Sequence, residues 1–99
     1  MKLIGKVKYI GPSEFLWLTD GKVYDCYEVF ELTLLRIVDD ELIGDPYFDT
    51  YSEDYLPGYL YSATAPRSGR NVKTGRWEVV EDKSGLIQQA ITGNKTADN

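Results

Sequence analysis

The sequence predicts an all-β fold, a small closed or nearly closed barrel, from two observations. Short runs rich in Val, Ile, Tyr and Trp are separated by turn residues over the first 81 positions, which is typical of strands in close succession. The chain has 99 residues, so it can bury one core and little else. Closure suits so small a domain, because a closed sheet leaves no exposed edge strands.

Each predicted strand has its own pattern. The run at 6–10 alternates apolar and basic residues, as a half-buried strand does. Asp20-Gly21 separates two apolar runs, which is the strongest short-range signal for a hairpin. The predicted strands are 6–10, 14–19, 22–31, 33–40, 58–64 and 76–81.

The run at 22–31 has apolar side chains on both faces. Tyr24 and Cys26 share one face, whereas Val23 and Val29 share the other. Such a strand is expected to bend through a β-bulge and to pass from one sheet to another, as at the corner of a small barrel.

Alternation and size also predict the core. In 33–40, Leu35 and Ile37 are expected to face inward. Trp77 and Val79 share one face of the last strand. The aromatic residues predicted as core or barrel-end packing are Tyr9, Tyr24, Trp17 and Trp77.

The pattern changes after position 82. Residues 84–92 place Leu86, Ile87, Ala90 and Ile91 on one side of a short helix that ends near Gly93. An isolated helix of this length is marginal in water, so it must dock on the domain or fray. We therefore predict a helical or disordered C-terminal tail over 83–99.

Composition restricts the function. A net charge of −5 argues against direct nucleic-acid binding and against anionic membrane surfaces. A single cysteine cannot form an internal disulfide, and the N-terminus resembles neither a signal peptide nor a membrane span. These features predict a cytoplasmic protein.

The motifs KVKYIG, GKVY, RIVDD, YLYS and EVVED, spread over residues 2–82, resemble those of a family of small uncharacterised bacterial and phage proteins. The family's proteins are SH3-like barrels, so the resemblance implies a five-stranded SH3-like barrel over 1–82. Its motifs are structural, and they imply little about function. Compared with short relatives, this chain is longer at the acidic segment 39–57 and at the basic loop 65–75.

The acidic segment is the main candidate for a binding site. Residues 39–54 hold seven carboxylates, two tyrosines and one phenylalanine, and no basic residue. The segment is either a solvated loop or a recognition loop whose carboxylates steer a basic partner towards its aromatic rings. A calcium loop fits poorly, because Ile43 and Thr50 occupy ligand positions. The predicted binding residues are Asp39, Asp40, Asp45, Tyr47, Phe48, Asp49, Tyr51, Asp54, Tyr59 and Tyr61.

Two other groups of residues have alternative interpretations. If Leu60 points inward, Tyr59 and Tyr61 both point outward, as in an aromatic groove for proline-rich peptides. A basic cluster is either a flexible loop, a partner of the acidic segment, a phosphate site or one half of a head-to-tail contact between copies. Its members are Arg67, Arg70, Lys73 and Arg76.

Catalysis is not expected. The chain has no histidine, which excludes Ser-His and Cys-His pairs within it; with one cysteine it also lacks the usual zinc ligands, and no cofactor motif is present. Cys26 lies in an apolar run and is interpreted as a buried hydrophobe. We therefore predict a non-enzymatic protein-interaction module, either a monomer or a weak homo-oligomer. The alternative is a small phage or mobile-element protein that mimics nucleic-acid charge and inhibits a DNA-binding protein.

Overall fold

The computed structural model describes residues 3–13, 17–43, 54–66 and 75–93. Its regular elements within these ranges are five strands and one helix. In chain order they are β1 (Gly5–Ile10), β2 (Val23–Phe30), β3 (Leu34–Ile37), β4 (Tyr59–Ser62), β5 (Arg76–Asp82) and α1 (Leu86–Ile91).

The strands form one antiparallel sheet in the order β4-β3-β2-β1-β5. The all-β prediction is confirmed, and the backbone ladder is open, with β4 and β5 at its edges. The predicted strand at 14–19 is wrong for 17–19, which are irregular, and its first three residues lie outside the described ranges. The turn at Asp20-Gly21 does form, since the Lys22 N–H donates to the Thr19 carbonyl at 3.1 Å. The turn leads into β2, but the strand that pairs with β2 there is β1 and not residues 17–19.

The predicted bulge lies in β2, where the register against β3 shifts between Cys26 and Glu28. Before the shift, Tyr24 and Cys26 are buried; after it, Val29 packs on the core and Phe30 is 40% exposed. The extra residue therefore changes which face is buried, which explains the two apolar faces. Both halves of β2 stay in one sheet, so the predicted change of sheet is wrong.

A second turn, which is strained, joins β2 to β3. The Thr33 N–H donates to the Phe30 carbonyl at 3.1 Å, and the two central residues, Glu31 and Leu32, have φ values of 53° and 60°. These values are typical of a type I′ turn, which twists in the same sense as the strands it joins. Asn and Gly tolerate this conformation, whereas residues such as Glu and Leu are strained in it.

Aromatic side chains organise the core, in which Tyr9, Tyr24 and Trp77 are buried as predicted. The Trp77 ring meets Tyr9 and Tyr61 edge-on, with centroids 5.6 Å and 6.2 Å away. Its indole N–H donates to the Ser62 carbonyl of β4 at 3.0 Å. Trp77 thus connects the two edge strands through a side chain, although no backbone ladder joins them.

Helix α1 docks on this core. Ile87 and Ala90 are buried, and Gly93 ends the helix with a φ of 77°. The Asp82 carboxylate anchors its start by accepting the N–H groups of Gly85 and Gln88, each at 2.9 Å. Within the described ranges, no helix is long and apolar enough to cross a membrane.

Candidate functional site

The chain leaves β3 through a tight turn at residues 39–43. The Asp39 carbonyl accepts the N–H groups of Leu42 at 3.0 Å and Ile43 at 3.1 Å. Its carboxylate Oδ1 accepts the Glu41 N–H at 3.1 Å. Asp is suited to this position because its short side chain reaches the backbone two residues further on. The beginning of the acidic segment is therefore held against the sheet.

Asp39 carries its carboxylate into the interior. The residue is 0% exposed, and its Oδ2 accepts the Tyr61 hydroxyl at 2.7 Å. Burial raises the pKa of Asp39, and the hydrogen bonds that favour its charged form offset this only in part. Burial and the adjacent carboxylate also raise the pKa of Tyr61. Both side chains are occupied with each other, and Asp39 cannot reach a partner.

Asp40 joins this turn to the Asp20-Gly21 turn. Its carboxylate accepts hydrogen bonds from Thr19 Oγ1 at 2.8 Å, Lys22 Nζ at 2.8 Å and the Tyr24 hydroxyl at 2.9 Å. Burial alone would raise the pKa of Asp40, but these three hydrogen bonds together lower it. Burial is also the main cause that raises the pKa of Tyr24 to about 12. The Asp40 carboxylate is therefore mostly engaged within the protein.

Large apolar side chains remain exposed around these two aspartates. The Trp17 carbonyl accepts the Asp40 N–H at 2.8 Å, and Trp17 itself is 56% exposed. Ile43 and Tyr59 are each 48% exposed. The Glu41 carboxylate raises the pKa of Tyr59 by its charge and by a hydrogen bond, and Tyr55 lies close enough to raise it further. We call this surface the rim; its residues are Trp17, Glu41, Ile43, Tyr55 and Tyr59.

The predicted binding residues fall into three groups. Asp39, Asp40 and Tyr61 are buried or half-buried and hydrogen-bonded within the fold, whereas Tyr59 and Asp54 are exposed. The others lie outside the described residues: Asp45, Tyr47, Phe48, Asp49 and Tyr51.

Two expectations about aromatic residues need correction. Leu60 does not point inward; it is 39% exposed, while Tyr61 packs against Trp77. Trp17 is not a core anchor, because Leu18 is the residue buried at that point. The sequence held a signal for this, since alternating residues of that run are apolar on both faces and only one face can be buried.

The basic cluster is only partly described. Arg76 is exposed and pairs with Glu78 at 3.0 Å, which is a pairing within β5 and not with the acidic segment. Arg67, Arg70 and Lys73 lie outside the described residues.

Chemistry at the described side chains is restricted. Burial raises the pKa of Cys26 to about 11, so its thiol is protonated and a poor nucleophile near neutral pH. Among the described residues, no group of three His, Cys, Asp or Glu side chains could hold a metal ion. The Asp39 carboxylate, the first ligand of the calcium-loop alternative, is engaged by Tyr61 and Glu41.

Comparisons with known proteins give no further guide to function: no protein-family model, curated protein or solved structure matches the chain. The family resemblance and the binding role stay predictions.

Proposed function

We propose that this chain is a non-enzymatic protein-interaction module, built on an SH3-like barrel, that binds a basic protein partner through the rim and the adjacent acidic, tyrosine-rich loop. Strands β1 to β4 pair in succession, and β5 returns to pair with β1. A sheet of this order can curl until its edges approach each other, and Trp77 bridges those edges. These features support the barrel.

The observation that carries the binding role is the exposure of the rim. Trp17, Ile43 and Tyr59 are about half exposed, and each adjoins the turn at 39–43, Trp17 and Ile43 through backbone hydrogen bonds and Tyr59 through Glu41. Single exposed apolar residues need no explanation, but a cluster of them is typical of a binding surface. Aromatic residues are the side chains that most often carry the binding free energy of protein interfaces.

Charge supports a basic partner. Glu41 belongs to the rim, Asp54 is exposed, and residues 45–53 contribute three further carboxylates. These groups would attract a basic protein and orient it. Asp39 and Asp40 are occupied internally, so two of the seven carboxylates do not contribute fully to this field. This favours an interface centred on aromatic residues over pure mimicry of nucleic-acid charge.

The proposal is tested by capture from native lysate on three baits: the wild type, the double variant Trp17→Ala/Tyr59→Ala, and a control. Val80→Ala is a matched control, because Val80 is 53% exposed and Trp17 is 56% exposed. Buried aromatic anchors typically contribute about 2 kcal/mol each, so the double variant should lose the partner. The control should retain it. Far-UV circular dichroism establishes that all three baits are folded.

A salt series separates the alternatives. An aromatic-centred complex should largely survive an increase from about 50 mM to about 500 mM salt, whereas binding through charge should collapse. A partner that is lost at high salt but retained by the Trp17→Ala/Tyr59→Ala variant would replace our proposal with charge mimicry. Identical capture by all baits would overturn the role of the rim.

A further inference from the structure

The outer face of the sheet, which points away from the core, has two halves of different character. Opposed residues of an antiparallel pair share a face, so the register shows which side chains lie there. In the half formed by β1, β5 and the start of β2, Lys6 pairs with Asp25 at 2.7 Å and Lys8 lies opposite Glu78. Charged side chains predominate in this half, as expected for a sheet face in water, and the exposed Val23 and Val80 lie singly among them.

The half formed by the end of β2, β3 and β4 is mostly apolar. Phe30 lies opposite Leu34, and both point outward because their neighbours Val29 and Leu35 pack in the core. Leu60 lies opposite Arg36 on the same outer face. Phe30 and Leu60 are 40% and 39% exposed. We call this surface the apolar face; it consists of Phe30, Leu34 and Leu60 with the ion pair of Arg36 and Glu28.

The ion pair gives the apolar face a particular charge pattern. Arg36 Nε donates to Glu28 Oε1 at 2.8 Å, and the side chains are 25% and 28% exposed. One positive and one negative group therefore lie side by side among apolar side chains. Such a surface complements a copy of itself turned by a two-fold axis, because each Arg36 then approaches the other copy's Glu28.

Net charge also favours a second copy at this place. Two chains that each carry a charge of −5 repel each other, and the repulsion is weakest where the surface is locally neutral. A basic partner, in contrast, is attracted to the acidic rim. We propose that the apolar face is the interface of a symmetric homodimer, and that its occupant is a second copy of this chain.

The contact is between faces and not between sheet edges. The Gly58 carbonyl, just before β4, accepts Arg36 Nη1 at 3.0 Å, and the Ser62 carbonyl at its end accepts the Trp77 indole. Little of this short edge is left to pair with another strand. The dimer also leaves the rim accessible, because consecutive residues Tyr59 and Leu60 point to opposite faces of β4.

The test is sedimentation velocity from about 5 µM to about 500 µM, a range that detects weak dimers. Leu60→Glu is the disrupting variant, and its new carboxylate lies opposite Arg36, which helps the chain to stay folded. Val23→Glu is the matched control: Val23 lies on the charged half of the outer face, opposite Lys8, and is 41% exposed. We expect the wild type and the control to dimerise with increasing concentration. Leu60→Glu should raise the dissociation constant at least about tenfold.

Two outcomes would overturn the proposal: a wild type that is monomeric over the whole range, or equal weakening by Leu60→Glu and Val23→Glu. Phe30→Ser is a second disruption, which shortens an exposed side chain without adding charge. If Leu60→Glu is unfolded by circular dichroism, Phe30→Ser decides the question. A folded Phe30→Ser chain that dimerises as tightly as the wild type would then show that the apolar face is not the interface.

Discussion

Asp39 carries a carboxylate into the protein interior, and its replacement by Asn should be tolerated while replacement by Ala should not. Asn keeps an oxygen that accepts the Glu41 N–H; its amide can donate to the Tyr61 hydroxyl oxygen, which compensates in part for the acceptor that the Tyr61 O–H loses. It also removes a charge whose burial is unfavourable. Ala leaves both the Tyr61 hydroxyl and the Glu41 N–H without their acceptor.

The magnitude follows from these two contacts. A buried donor that loses its acceptor costs about 1–3 kcal/mol, and Asp39→Ala creates two of them, offset in part because a buried charge disappears. We expect Asp39→Ala to lower the free energy of unfolding by about 2–3 kcal/mol. Asp39→Asn should change it by less than about 1 kcal/mol near neutral pH.

The dependence on pH has a definite sign. Burial raises the pKa of Asp39 above its ordinary value of 3.8, so the folded protein holds this proton more tightly than the unfolded chain. The stability that protonation contributes is fully present below the unfolded-state pKa and is lost as the pH rises through the folded-state pKa. Stability of Asp39→Asn relative to wild type should therefore be higher near pH 7 than near pH 4.

Urea unfolding followed by tryptophan fluorescence measures these differences, since Trp77 is buried in the core. Asp54→Asn is the control, because it removes the same charge from an exposed position and should leave stability unchanged. Equal destabilisation by Asn and Ala near neutral pH would refute the reasoning, because it would mean that the negative charge itself is required.

Two further predictions concern a turn and a helix start. Glu31→Asn should raise the free energy of unfolding by about 0.5–1 kcal/mol, because Asn tolerates the φ of 53° at this position. Glu31→Gln removes the same charge, but Gln does not tolerate the positive φ. If Glu31→Gln raised the melting temperature as much as Glu31→Asn does, the backbone explanation would be excluded. Asp82→Ala should lower the free energy of unfolding by about 1–2 kcal/mol, because Gly85 and Gln88 lose their acceptor. Burial acts to raise the pKa of Asp82, but hydrogen bonds from Gln88, Gly85 and Ile87 outweigh it and lower the pKa below 3.8, so the difference from wild type should shrink as acid titrates the native carboxylate. Thermal melts near pH 7 and near pH 3 measure this difference. The same difference between Asp82→Ala and wild type at both pH values would contradict the prediction.

The sequence by itself determined five of the six predicted strands and most of the inward-facing residues. Leu35, Ile37 and Trp77 follow from alternation alone, because a strand sends successive side chains to opposite faces. The bulge in β2 could also be predicted, since no straight strand buries both Tyr24 and Val29 on one face. Such features depend on neighbours along the chain, which a sequence displays directly.

Only the tertiary structure decided the roles of the acidic and aromatic side chains. Asp39 looks like its acidic neighbours in the sequence, yet it is buried because Tyr61, 22 positions away, donates a hydrogen bond to it. Trp17 and Leu18 are both apolar, and only the packing of the core exposes the first and buries the second. The apolar face likewise comes from residues on three strands. Burial and partner depend on contacts between distant segments, and local patterns carry no record of them.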